Sequence, residues 1–370
     1  MPIAFGVHIG RTSMCVAAEK DGNVDVIAND AGDRVTPAVL GSNEGEILVG
    51  LSAKQLSARK PESIAQESIR KIAQDELQEG FALQDNGNAK HLSIEKVHSK
   101  LYKYMKDVAL TYSSENDFSK TVITVPLTFT SEQRKVVKNY ATLGGFHVTQ
   151  VISEPAAALL AYGISQNDQT ESNLCLVFKC GGASLTATVM QTSGGMFSVL
   201  GSVTKEVGGD LVTNILIELL AQEFKRKYKM DPRESKRGKM KLKINAENVK
   251  HVLSTLDNAN CYIESLYEGI DFNSNVSRSR LDAEFSKILS KFIDPLHEVL
   301  DIVKIKPTDI DKVRSPSFSV LFCNNLDNHQ ILSSFRLCSA AALLKSPSCK
   351  NRLKSSLSMQ NCWTPSTQMK

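Results

Sequence analysis

Residues 5–18 read "FGVHIGRTSMCVAA": an apolar run reaches Gly10, turns, and resumes as a second apolar run. Strand, glycine turn and strand make a hairpin whose tip can offer backbone N–H groups to a phosphate. The turn is flanked by His8 and Arg11, where phosphate chemistry on a metal would call for a carboxylate and a hydroxyl. The scheme returns in residues 173–204, "NLCLVFKCGGASLTATVMQTSGGMFSVLGSVT". Aligning Ile9-Gly10-Arg11-Thr12-Ser13 with Cys180-Gly181-Gly182-Ala183-Ser184 suggests a duplicated unit, the alternative being two unrelated hairpins. Two such lobes could clamp a phosphate chain between them.

Between and beyond the hairpins, strand-like and helix-like segments alternate, which points to an α/β fold. "TVITVPLTF" (121–129) and "TQVISEP" (149–155) read as strands. "SEQRKVVKNYATLGGF" (131–146) has helical spacing, with Ser131 as its expected N-cap. "AAALLAYGI" (156–164) reads as a buried helix ending at Gly163. Residues 211–256 read as a long helical region, and "EFSKILSKFIDPLHEVLDIV" (284–303) reads as one further helix. The basic run "KRKYKMDPRESKRGKMKLK" (225–243) reads as a solvated face or as a contact for an acidic or ribosomal partner.

The 370 residues suffice for one large two-lobed domain, and 42% hydrophobic with 23% charged residues suits a soluble globular chain. No signal-peptide pattern and no membrane-length apolar run is recognisable. The eight cysteines form no CxxC pair or Cys/His cluster, which favours reduced thiols over disulfides or zinc. The net charge of +4 is uneven: from Arg314 onward stand seven Lys or Arg and one acidic residue, Asp327, leaving the remainder at −2. Direct nucleic-acid binding by the folded part is therefore not expected.

Together and in this order, these segments resemble the nucleotide-binding domain of the 70-kDa heat-shock chaperone family, from about Ile3 to Val313. The likeness is strongest in "NDAGDRVTPAV" (29–39), "TVITVP", "ISEPAAALLAYGI", "VFKCGGAS" and "IESLYEGIDFNSNVSRSR" (263–280). The wording is most similar to an atypical, ribosome-associated branch that pairs with a zuotin-type J-protein. The resemblance implies an α/β actin-like ATPase fold. Two duplicated lobes, about 1–165 and 166–313, would surround a nucleotide cleft that takes ATP.

Residue by residue the carry-over is uneven. Where the family has Asp-Leu-Gly-Thr-Thr, this chain has His8-Ile9-Gly10-Arg11-Thr12. Where it has Asp-Leu-Gly-Gly-Gly-Thr, this chain has Lys179-Cys180-Gly181-Gly182-Ala183-Ser184. The family's catalytic Lys falls, by gapless match, at Ile69, beside Arg70 and Lys71. Pro126 and Glu154 match the interlobe switch, and Gly208-Gly209 the third phosphate-side turn. Glu247, Lys250 and Ser254 match the adenosine side, with His251 in place of a base-stacking Arg. Without the resemblance, His8 reads as a satisfied core histidine and Glu154 as a carboxylate favoured by a helix N-terminus.

These losses have a direct physical meaning. Mg²⁺ wants oxygen ligands, often through water held by carboxylates. Phosphoryl transfer depends on positioning and on charge neutralisation by that metal. Arg11 and Lys179 can still attract a triphosphate as fixed cations. The expected site binds phosphate through Gly10, Arg11, Thr12, Lys179, Gly181, Gly182, Ser184, Gly208 and Gly209, with at most weak use of Mg²⁺. No catalytic residue and no metal ligand is assigned.

After Val313 the resemblance stops. Residues 314–370 hold twelve Ser, four of the eight Cys and the only Trp, without periodicity, a composition that suits disorder. Read one base out of frame, the codons permitted from Leu337 onward recover a Cys-Gly-Gly-Ser-Ser loop and a later Leu-Leu-Asp run, as the family would have. The expectation is an out-of-frame tail, with the end of the second lobe and the peptide-binding domain absent.

The function expected is that of an atypical chaperone subunit that binds ATP with little or no hydrolysis. With a zuotin-type J-protein it would assist nascent chains at the ribosome, in the cytosol, without touching nucleic acid or membrane directly. The alternatives are an active ATP-hydrolysing foldase or sugar-kinase relative of the same fold, and a non-functional splice or frameshift product.

Overall fold

Phe5, Val7 and Ile9 alternate with Gly6 and His8 along the strand Ala4–Ile9, so one face enters the core and the other looks into a cleft. In a computed structural model, residues 4–20, 23–85, 87–112, 120–161, 172–310 and 312–314 are described. Ala4–Ile9 pairs antiparallel with Ser13–Lys20 and parallel with Thr121–Val125, which pairs in turn with Val148–Ser153. Asn23–Val26 closes the other edge. The helices Ile94–Tyr112 and Ser131–Leu143 cover this sheet, burying Leu101, Tyr102, Met105, Val137 and Tyr140 against the strand residues.

The second lobe repeats the plan. Its sheet runs Met196–Lys205, Leu185–Ser193, Asn173–Cys180, Lys312–Arg314, antiparallel except for the last pair. Cys175 to Phe178 are buried without alternation, as a central strand covered on both faces requires. One face packs on Phe292, Leu296 and Val299. The other receives Ala158 and Leu159 of the helix Glu154–Ala161, which joins the lobes. Farther out, the helices Gly209–Tyr228 and Lys236–Thr255 pack on a hairpin of Asn258–Tyr267 and Ile270–Ser277 around Phe224 and Phe272.

Two local expectations are corrected. The helix after the strand Thr121–Val125 is capped by Thr130, not Ser131: Thr130 Oγ1 accepts from Gln133 N–H at 3.2 Å while Gln133 Oε1 accepts from Thr130 N–H at 2.9 Å. From Ser131 the third residue on is Arg134, which cannot accept the return bond. The single helix expected over 284–303 is divided into Arg278–Ser286 and Ser290–Val303. Tighter i→i+3 bonds, such as Ile288 N–H to Phe285 O at 3.0 Å, turn the chain there so that Phe285, Leu289 and Phe292 all face the core. Gly163 and the tail beyond Arg314 lie outside the described residues.

Candidate functional site

Both glycine turns are closed by the same backbone bond. Gly10 N–H donates to Ser13 O at 2.8 Å, and Gly181 N–H to Ser184 O at 2.8 Å. The N–H groups at the tips (Arg11, Thr12, Gly182, Ala183) make no backbone hydrogen bond among the described residues. The tips face each other so closely that a Cβ at Gly182 would strike the Thr12 side chain. A third turn docks on the second hairpin: Gly209 N–H donates to Gly181 O at 3.0 Å and Asp210 N–H to Gly182 O at 2.7 Å. A Cβ at Gly208 would lie 2.5 Å from Gly182 O, so this position admits only glycine.

Charge is distributed differently from the backbone. His8, paired in register with Thr124, holds its Nδ1 2.9 Å from Thr124 Oγ1 and 3.8 Å from Glu154. Burial first, and then the Lys179 ammonium, push the His8 imidazole down to about 4 against the opposing pull of Glu154, so it is neutral at pH 7. Lys179 Nζ sits 2.5 Å from Glu154 Oε1. Burial alone would raise the Glu154 carboxyl, but Lys179 and His8 outweigh it and hold the group below the usual carboxylate range. Pro126, at the end of the strand Thr121–Val125, is half-buried and accepts from Phe129 N–H at 3.2 Å.

Arg11 leaves the first hairpin and crosses the cleft. Its Nη1 donates to Ala183 O at 3.2 Å and to Glu206 Oε1 at 3.4 Å, while Nη2 donates to Glu67 Oε2 at 2.9 Å. Glu67 follows the short strand Ile64–Gln66 with a left-handed φ of 55°. Ile69, where the gapless match places the family's lysine, is buried in the first lobe's core at 4% exposure. The residue that this segment turns toward the hairpin is thus an anion. Glu67 and Glu206 were not legible from the sequence; a glutamate directly after a three-residue strand was the available signal.

On the far side of the cleft, Lys54 of the helix Leu51–Ser57 meets Glu247 at 2.9 Å. Lys250 is buried and donates to Thr213 Oγ1 at 2.9 Å and to Gly209 O at 3.3 Å, tying this helix to the third turn. Burial pulls the Lys250 ammonium down, partly offset by Glu247 and then Asp210, and pushes the Asp210 carboxyl up, partly offset by Lys243 and then Lys250. Ser254 is buried, its Oγ donating to His251 O at 2.5 Å, and His251 is exposed. A cavity of about 510 Å³ lies apart from the hairpin tips, between Pro61–Glu62 and Ile217, Arg233, Lys239 and Lys243.

The sequence profile of the family described as Hsp70 protein matches residues 4–314. The chain belongs to the Hsp70 family. It is 40% identical over 331 residues to heat shock 70 kDa protein 14-B of Xenopus laevis, covering 84% of this chain and 65% of that protein. Heat shock 70 kDa protein 14 of Mus musculus and of Homo sapiens give the same identity and coverage. The chain thus spans about 65% of the length of these relatives. The fold is that of the Hsp70 nucleotide-binding domain, with an actin-like ATPase architecture.

Hsp70 proteins bind nucleotide, and the two groups this implies fare differently here. The tip N–H groups of Arg11, Thr12, Gly182 and Ala183, without backbone partners among the described residues, are donors of the kind that phosphate oxygens accept. Magnesium does not fit. The flanking positions hold an imidazole and an ammonium, and Glu154 is engaged by Lys179. Among the described residues no three His, Cys, Asp or Glu side chains group as metal ligands.

Proposed function

We propose that this Hsp70-family chain binds ATP between its two hairpins with little or no hydrolysis. On this reading it serves, with a zuotin-type J-protein, as a subunit assisting nascent chains at the ribosome in the cytosol. The observation that carries the first part is the Lys179–Glu154 pair at 2.5 Å beside a neutral His8. An ammonium and an imidazole stand where a metal's water shell would need carboxylates.

The mechanism is binding without activation. Tip amides hold the phosphate oxygens, Gly208 and Gly209 keep the third turn tight against them, and Glu247, Lys250 and Ser254 line the nucleoside side. The carboxylates at the tips are weakened as bases: Lys179 holds Glu154 below the usual carboxylate range, and Glu67 is engaged by Arg11. A water near the terminal phosphate would meet only weak proton acceptors in Glu154 and in His8, whose imidazole is pushed down to about 4. The supporting experiment titrates ATP into the full chain with Mg²⁺ and with a chelator. Affinities within about threefold of each other are expected, and a loss of more than tenfold on chelation would oppose the reading. Co-purification with a zuotin-type J-protein tests the second part, and its absence would remove it.

A further inference from the structure

We infer that the cavity beside Pro61–Glu62 is a binding site for a small phosphate monoester with an apolar body, separate from the hairpins. Its floor is apolar: Pro61 of the first lobe, Ile217 of the helix Gly209–Tyr228 and Met240 of the helix Lys236–Thr255 line it, all three half-buried. The lining also includes Lys236, Lys239 and Lys243, which at spacings of i, i+3 and i+7 share one face of their helix. One lining cation is already matched, since Arg233 meets Glu218 at 2.5 Å and Asp231 at 2.6 Å. The three lysines form no ion pair among the described residues, and Lys243 interacts only at longer range with the Asp210 carboxyl. Lys241, on another side of the same helix, makes the contrast: its ammonium donates to Glu264 O at 2.7 Å and to Ser265 O at 2.8 Å.

Like charges three and four positions apart on a helix repel, so an anion seated among them relieves repulsion as well as gaining attraction. Against the three ammoniums the lining sets one unpaired carboxylate, Glu62, which leaves an excess of two positive charges. A phosphate monoester carries about −1.5 to −2 at pH 7, and lysines bind it as point charges. Inorganic phosphate would leave Pro61, Ile217 and Met240 facing water, so the ligand needs an apolar portion to cover them. No aromatic side chain stands among the described lining residues, so a nucleic-acid base has no stacking platform here. The volume of about 510 Å³ falls within the range of small-molecule sites, about 300–1,000 Å³. Glu247, Lys250 and Ser254 stand farther along the same helix and do not line the cavity. The inference therefore does not depend on nucleotide binding at the hairpins.

The test is equilibrium dialysis of the full chain against octyl phosphate below its micelle concentration, with inorganic phosphate and octanol as comparisons. Octyl phosphate should bind with a Kd of about 1 mM or tighter, the range open to a ligand of its size. Inorganic phosphate and octanol, each lacking one half of the match, should bind at least about tenfold more weakly. Lys236→Gln/Lys239→Gln, at two exposed positions, should weaken octyl phosphate by about tenfold while the circular dichroism spectrum stays that of wild type. Excess ATP should leave the ester bound. Absence of binding, equal binding by the double variant, or displacement by ATP overturns the inference. Octanol binding as tightly as the ester also overturns it, because the lysines would then contribute nothing. Vesicles containing phosphatidic acid should not sediment the chain; sedimentation that the double variant loses would assign the lysines to a membrane surface and overturn the small-ligand site.

Discussion

Gly10 donates to Ser13 and Gly181 to Ser184 at the same 2.8 Å, yet the side chains around the two turns are wired in opposite directions. The first hairpin sends Arg11 outward, across the cleft, to Ala183 O and the exposed Glu206 carboxylate in the second lobe. The second keeps Lys179 inward, on a carboxylate only 11% exposed. The backbone of the duplicated unit is fixed by geometry, since the turn and the close approach of the third loop exclude most side chains. Charge is not so fixed, because a cation can replace a carboxylate without moving the turn. The comparison separates what a phosphate-binding hairpin needs in order to fold from what it needs to do chemistry.

The largest expected effect breaks the second hairpin's backbone. Gly208→Ala places a methyl 2.5 Å from Gly182 O and 2.6 Å from Gly181 O, a clash with main chain that should destabilise by about 3 kcal/mol. Gly181→Ala, which meets only Ser184 O at 3.3 Å, should be tolerated far better. Urea unfolding of both variants checks the contrast, and equal losses would show that the third turn does not depend on that close approach.

Next in size is a difference in acid sensitivity. His8 is neutral in the folded chain down to about 4, against 6.5 when unfolded, so the unfolded state binds the extra proton in that interval. Stability is therefore lost as pH falls from about 6.5 to about 4, by at most about 3 kcal/mol. His8→Asn should flatten this part of the profile; His98, also pushed to about 4 by burial, remains in both proteins. Glu154 acts in the other window. Its stabilisation is present above its ordinary value of 4.5 and fades as pH falls through the depressed folded value. Denaturation midpoints between pH 7 and pH 3 compare the two, and a His8→Asn profile parallel to wild type would contradict the assignment.

Lys179→Met leaves the Glu154 carboxylate largely buried without its cation, which should cost about 2 kcal/mol, less than for a fully buried pair because Lys179 itself is 21% exposed. Adding Glu154→Gln should restore most of that loss. A double-mutant cycle measures the coupling, and simple additivity would mean that the two groups do not interact. The smallest effect belongs to the first hairpin: Glu206→Gln, at an exposed carboxylate, should change stability by less than about 1 kcal/mol. A larger shift in the denaturation midpoint would show that this bridge is buried in solution.

The hairpins and their duplication were legible because a glycine turn between apolar runs leaves a local trace, as at Gly10 and Gly181. The alternation around Phe5, Val7 and Ile9 likewise announces its own buried face. What could not be read was the closure of the cleft. Arg11 meets Glu67 from 56 positions away and Glu206 from 195, and no periodicity encodes such a meeting. Ile69 illustrates the cost of a register slip: two residues separate a core side chain from Glu67, which faces the hairpin. At Thr130 the miss was smaller, since the capping box hinged on which residue lies three before Gln133.

The central claim, a phosphate-binding cleft that cannot activate water, is tested most directly by single-turnover hydrolysis of ATP bound to the full chain, with Mg²⁺ and with a chelator. Losing one preorganised charge commonly costs on the order of 100- to 1,000-fold in rate, and both metal-side positions are altered here. The account predicts turnover near the uncatalysed background, with the two conditions indistinguishable. Mg²⁺-dependent hydrolysis as fast as that of an ordinary Hsp70 protein would contradict it.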